Sequence, residues 1–142
     1  MAQNSLSNTS DKLPSHEVLK DVPDNLKELI ADNGKNLKSI RCSTCKSLIL
    51  NKDTASLVKR ETFLPYPQQK KNQKAEEAEG ETVNSFWHVQ DMYTFENVGF
   101  CKTIGTVKFL MCADCEIGPV GVCDTRGPRD FFVSTDRIAH EN

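Results

Sequence analysis

Two C-x-x-C pairs, Cys42-Ser43-Thr44-Cys45 and Cys112-Ala113-Asp114-Cys115, are separated by 66 residues. Two thiolates on one tight turn can share a metal ion, and two such turns complete a tetrahedral Cys₄ zinc site with Zn–S bonds of about 2.3 Å. Each pair sits where a strand leaves or enters a turn, the setting of a zinc ribbon. The long separation requires a folded sheet between the two knuckles. Disulfides would suit a secreted chain, but the N-terminus shows no charged-then-apolar leader. A redox C-x-x-C would open a helix after a strand, and no helical pattern follows either pair. A catalytic zinc keeps an open ligand position, whereas four cysteines close the shell, so the ion expected here is structural. Cys101 and Cys123 stand outside the pairs and read as small buried hydrophobes.

The elements that must hold these knuckles come from an unevenly composed chain. Of 142 residues, 37% are hydrophobic, and they concentrate in residues 37–65 and 83–142, which also hold nine of the ten aromatics. A folding unit of about 90 residues is short of core, a shortage that a metal staple answers. The opening MAQNSLSNTSDKLPS has no hydrophobic period and is expected to be disordered. Leu26, Leu29 and Ile30 share one helical face, with Pro23 before it, Asp24 as cap and Gly34 as stop, which predicts a short accessory helix. Residues 1–36 therefore read as an extension and residues 37–142 as the domain.

Strands are expected at Ser47–Leu50, Ser56–Val58, Phe86–Val89, Thr106–Met111 and Phe131–Ser134, with turns at Gly99, Gly105, Gly118-Pro119 and Gly127-Pro128. Many short strands between turn residues predict a mostly β domain of antiparallel sheets. Residues 66–82 are Lys, Gln and Glu with almost nothing to bury, and are expected to form a mobile polar loop. The formal net charge is −2, which argues against nucleic acid. It averages a +4 segment at 37–65 with a −3 segment at 83–142. No apolar run approaches the ~18 residues of a membrane span.

Residues 87–121, WHVQDMYTFENVGFCKTIGTVKFLMCADCEIGPVG, closely resemble the Mss-four/Dss-four type of Rab-GTPase exchange factor, also called Rab-interacting factor. The resemblance rests on DMYTFENVGF at 91–100, KFLMCADCEIGPVG at 108–121, the upstream C-x-x-C at 42–45, and Phe63-Leu64-Pro65 after Lys59-Arg60. It runs from about Arg41 to Glu141 and includes Arg137-Ile138-Ala139-His140-Glu141. It implies a zinc-stapled, tent-like, mostly β fold. It further implies a cytoplasmic monomer that binds nucleotide-free Rab GTPases of vesicle transport and exocytosis, releases GDP or chaperones the empty GTPase, and reaches membranes through Rab rather than by insertion. The Rab-facing surface it implies here is Trp87, Asp91, Met92, Phe95, Glu96, Asn97, Asp114, Glu116 and Ile117.

The residues can support that role. Read as a strand, DMYTFEN alternates, so Met92, Thr94 and Glu96 would face one way and Tyr93, Phe95 and Asn97 the other. Aromatic, Met and acidic groups together suit a protein interface with a few anchors. Asp114, inside a knuckle, could instead only cap its turn, and Phe95 could be plain core. Binding the empty GTPase better than the loaded one weakens nucleotide binding by the same factor, so no covalent chemistry is required. Two other readings remain open. A methionine-R-sulfoxide reductase carries a similar paired zinc site but needs a reactive cysteine, and Cys123 sits beside an acid in Gly-Val-Cys-Asp. A zinc-ribbon nucleic-acid binder could use Lys38, Arg41, Lys46, Lys52, Lys59 and Arg60, although no aromatics interleave with them.

Overall fold

The computed structural model describes residues 17–18, 22, 24–69, 79–126 and 130–141. Among the described residues there are twelve strands: β1 (Glu17–Val18), β2 (Ser39–Cys42), β3 (Leu48–Leu50), β4 (Ser56–Pro65), β5 (Gln68–Gln69), β6 (Gly80–Val89), β7 (Gly99–Ile104), β8 (Val107–Met111), β9 (Ile117–Gly118), β10 (Gly121–Asp124), β11 (Asp130–Ser134) and β12 (Ile138–Glu141). They form a seven-stranded sheet in the order β1-β4-β6-β11-β10-β8-β7, a three-stranded sheet β12-β2-β3, and the pair β5-β9. Every pairing is antiparallel.

Alternation along the strands explains how both faces of the large sheet find cover. Leu57, Trp87, Val133, Gly121 and Leu110 stand in cross-strand register on one face. The side chains of Leu57, Trp87, Val133 and Leu110 join Ile40, Cys42, Leu50 and Cys112 in one buried cluster. The next row, His88, Phe132, Val122 and Phe109, points the other way, and Phe132, Val122 and Phe109 bury there with Phe86 and Val58. Gly121 has to be glycine, because a Cβ there would collide with the Phe132 carbonyl oxygen of β11.

The small sheet closes over the first row, and one polar contact fixes the fit. Trp87 is fully buried, and its indole N–H donates to Nε2 of His140 on β12 at 2.9 Å. A second polar fixture is Arg137, only 7% exposed. Its guanidinium donates to the carbonyls of Pro65 at 2.9 Å, Pro119 at 2.8 Å and Leu64 at 3.2 Å, and to Glu81 Oε2 at 3.2 Å. A group with five donors and no acceptor suits a spot where carbonyls converge.

Several expectations are refined. The five expected strands are present, β4 and β6 being longer than the apolar runs announced. Gly99 opens a strand instead of a turn, while Gly105, at φ 62°, does turn the chain between β7 and β8. The short helix is a 3₁₀ turn over Asp24–Leu29, and Leu26 is buried in the main core cluster, so this stretch packs onto the domain. Asn36 follows it, buried, with Nδ2 donating to the carbonyls of Lys38 and Asn51 and Oδ1 accepting from the amides of Thr54 and Ala55. Of the polar 66–82 stretch, 68–69 and 80–82 are strand. Residues 70–78, with the expected tail at 1–15, Pro23 and the Gly127-Pro128 turn, lie outside the described residues.

Candidate metal centre and the groove beside it

The two C-x-x-C turns repeat one backbone design. In the first, the Lys46 amide donates to the Cys42 carbonyl at 3.0 Å and the Cys42 amide to the Ser47 carbonyl at 2.9 Å. In the second, Glu116 donates to Cys112 at 2.8 Å and Cys112 to Ile117 at 3.1 Å. Lys46 and Glu116 occupy matching places in the left-handed region, with φ 67° and 61°. The turns place all four Sγ atoms within 4.8 Å of one another. Cys42 to Cys115 and Cys45 to Cys112 are each 3.6 Å apart. A tetrahedral ion with metal–sulfur bonds of about 2.3 Å needs sulfurs roughly 3.8 Å apart, so the cage is the right size.

Hydrogen-bond donors point at two of the cage sulfurs. The Thr44 and Cys45 amides point at Cys42 Sγ at 3.3 and 3.4 Å, and Asn97 Nδ2 points at Cys112 Sγ at 3.3 Å. The cysteines differ sharply as free thiols. Hydrogen bonds with Ser47 hold the exposed Cys45 down to about 6, whereas burial pushes Cys115 up to about 12 and raises Cys112. Four thiolates this close repel one another, and a bound cation is what lets all of them ionise. These four cysteines could hold a metal ion.

On the solvent side of the cage lies an open groove of about 610 Å³. Leu48 and Ser47 form one wall, Met92, Phe95, Glu96, Asn97 and Val98 another, and Ala113 and Asp114 the third. Ser47 donates its hydroxyl to the Asp114 carboxylate, joining the knuckles along the groove. Asn51 donates to Glu96 Oε2 at 2.7 Å, and the Glu96 amide donates to the Ile49 carbonyl at the edge of β3. Phe95 is half-buried, edge-on to Phe131 with ring centroids 5.7 Å apart. The lining mixes the apolar side chains of Leu48, Met92, Phe95 and Val98 with the polar groups of Ser47 and Asn97 and two carboxylates, Glu96 and Asp114.

The nine residues marked out by sequence are not all brought together. Met92, Phe95, Glu96, Asn97 and Asp114 line the groove. Asp91 lines an adjoining cleft of about 320 Å³ with Lys35, Thr54 and Thr94. Glu116 is exposed at the end of the second knuckle, and Ile117 is half-buried in β9 opposite Gln69. Trp87 must be removed from the surface set, because strand alternation turns its indole into the core. The strand reading of DMYTFEN also fails. Asp91 accepts the Tyr93 amide at 2.8 Å and starts a 3₁₀ turn over Met92–Thr94. Met92 and Phe95 are thereby both turned toward the groove, and Tyr93, which lines neither groove nor cleft, is left 94% exposed. The sequence reading left out Tyr93, although an Asp accepting the amide two residues on is a turn signal the composition carries.

The family model described as "Mss4 protein" matches residues 35–140. The chain belongs to the Mss4 family. Among curated relatives, the "Guanine nucleotide exchange factor MSS4 homolog" of Drosophila melanogaster is 39% identical over 115 residues, covering 81% of this chain and 93% of the relative. The protein of the same name in Schizosaccharomyces pombe is 32% identical over 92 residues, covering 64% of this chain and 85% of the relative. The Mss4 match takes in both knuckles, the 91–98 segment and the first three residues of β12. Among the described residues, no helix is long and apolar enough to cross a membrane. The two other readings gain no support. Cys123 is buried on β10 with its sulfur toward the Asp124 carbonyl, and the Arg60 guanidinium lies over the Phe132 ring, 4.4 Å from its centroid.

Proposed function

We propose that this chain binds the nucleotide-free form of a Rab-type small GTPase and promotes release of GDP, as exchange factor or chaperone in vesicle transport. One structural zinc ion bound by Cys42, Cys45, Cys112 and Cys115 holds its surface together. It works as a cytoplasmic monomer and meets membranes through the GTPase. Family membership and the names of the relatives support the GTPase reading. The observation that carries the surface is the groove beside the cysteine cage, lined by Glu96 and Asp114, with the exposed Tyr93 next in sequence to Met92 of its lining.

Two fixed carboxylates beside the apolar side chains of Met92, Phe95 and Val98 suit a partner segment that pairs basic and apolar side chains, as the phosphate-binding elements of a GTPase would once emptied of nucleotide. Glu96 and Asp114 are already oriented by Asn51 and Ser47, so little side-chain entropy remains to be lost on docking. Tyr93 offers a rigid aromatic anchor and Met92 an adaptable contact. When bound, the zinc supplies only cross-linking, since four sulfurs complete its shell. GDP release follows from linkage, because a protein that prefers the empty GTPase lowers its nucleotide affinity by the same factor. The test is a pull-down with a panel of Rabs, nucleotide-free and GDP-loaded, with zinc quantified in the same preparation. Retention of an empty Rab by chain holding one zinc is expected. Absence of any preference for the empty form would overturn the reading.

A further inference from the structure

Asn97 was marked out as a contact for the partner, yet both ends of its side chain are occupied within the protein. Oδ1 accepts the Ala113 amide at 2.9 Å, and Nδ2 donates to Cys112 Sγ at 3.3 Å. Its residue is half-buried, and it immediately follows Glu96 on the segment that forms one groove wall. Ala113 and Asp114, on the facing wall, lie between two of the cage cysteines. A single amide therefore ties the wall carrying Phe95 and Glu96 to the turn carrying Cys112 and Asp114.

We propose that Asn97 is a positioning residue that couples the groove to the metal cage, so that a docked partner and the cage ion each hold the other in place. The inference rests on the GTPase reading above. The physical basis is that N–H···S bonds belong to the outer shell that orients metal ligands, a shell whose loss typically costs about 10–100-fold in metal affinity. A partner pressing on the 95–97 wall keeps the amide seated on Cys112. An ion that fixes Cys112 keeps Asp114 facing Glu96 across the groove. Coupling between two sites is reciprocal, so stabilisation must run both ways by one factor.

The test uses the full chain, loaded with zinc or with cobalt(II), and a nucleotide-free Rab taken from the panel. Release of zinc to a chromogenic chelator is timed with and without saturating Rab, for the wild type, Asn97→Leu and Asn97→Asp. Far-ultraviolet circular dichroism establishes that each variant is folded. Asn97→Asp can still accept the Ala113 amide but sets a carboxylate oxygen where the N–H···S donor was, whereas Asn97→Leu removes both bonds without adding charge. In the wild type, Rab is expected to slow zinc release about tenfold, within the usual range of coupling between sites. Both variants should release zinc faster without Rab, gain less than twofold protection from it, and shift the sulfur-to-cobalt charge-transfer band. A purely structural asparagine would leave that band in place. Asn51→Ala, which removes a support of Glu96 without touching the cage, should also leave the band unmoved. If wild-type chain binds Rab but zinc leaves at the same rate, the coupling is overturned and the GTPase reading stands. If it binds no Rab, both fall.

Discussion

Ser47 donates its hydroxyl to the Asp114 carboxylate, and in doing so it joins residues from two knuckles whose cysteine pairs are separated by 66 residues. The same bond fixes a carboxylate on the groove wall. The cysteine cage and two sides of the groove therefore share the same two turns.

Tyr93 and Asp114 give the cleanest functional variants. Tyr93 is 94% exposed and Asp114 is exposed, so alanine at either site should change stability by less than about 1 kcal/mol. Loss of an interface anchor costs about 2 kcal/mol or more, which is roughly a 30-fold fall in Rab affinity for Tyr93→Ala. Titration calorimetry beside thermal unfolding checks both halves. Phe95→Ala is less clean, because it also removes an edge-to-face contact with Phe131.

Removing the metal should cost fold as well as binding. The two pairs link the small β12-β2-β3 sheet to the turn that leaves β8 of the large sheet and enters β9. Chelation or Cys112→Ser is expected to lower the melting temperature. The melting temperature of the wild type should rise with added zinc, as it does when a ligand binds only the folded state. Calorimetry across a zinc titration measures this, and a melting temperature indifferent to zinc would be at odds with a structural ion.

The packing of the two sheets should be acid-sensitive through His140. Burial, and secondarily Lys38, lowers its pKa from the ordinary 6.5, against a smaller opposing effect of Asp136. Only the unprotonated Nε2 can accept the Trp87 indole proton. A depressed folded-state value means that this stability is complete above pH 6.5 and is lost as pH falls through the folded value. His140→Gln can keep an acceptor but does not titrate. Urea unfolding at pH 7.5 and 5.5 in one zinc-saturated buffer should show a smaller acid loss for the variant than for the wild type.

Arg137 should be among the most sensitive positions. Replacing it with alanine leaves the carbonyls of Leu64, Pro65 and Pro119 without their buried donor. Unpaired buried polar groups cost about 1–3 kcal/mol each, so a total above ~3 kcal/mol is expected by denaturant titration. Arg137→Lys should recover only part, since one ammonium cannot reproduce the planar fork.

Some of this architecture was legible from residue types alone. The cysteine spacing announced the cage because a Cys₄ site needs little beyond two tight turns, and apolar runs such as Phe86–Val89 and Phe131–Ser134 marked central strands. Strands with mixed sequence escaped notice. β7, Gly-Phe-Cys-Lys-Thr-Ile, and β12, Ile-Ala-His-Glu, are held by pairing and by partners such as Trp87 that lie far away in sequence. The groove was half legible. An aromatic-acidic segment was visible, but period-two alternation gave it the wrong faces, because the Asp91 cap bends the chain at Tyr93. Trp87 was misplaced for a related reason. A lone Trp in a strand suits either an interface anchor or a core, and only the position of His140 decides between them.

The most direct measurement is the affinity of zinc-loaded chain for one Rab in two states, nucleotide-free and saturated with GDP, by fluorescence titration. Binding to the empty form should be at least about 10-fold tighter, Tyr93→Ala and Asp114→Ala should weaken it, and added GDP should displace the chain in proportion to its concentration. Equal affinity for the two states, or full affinity in both variants, would contradict the account.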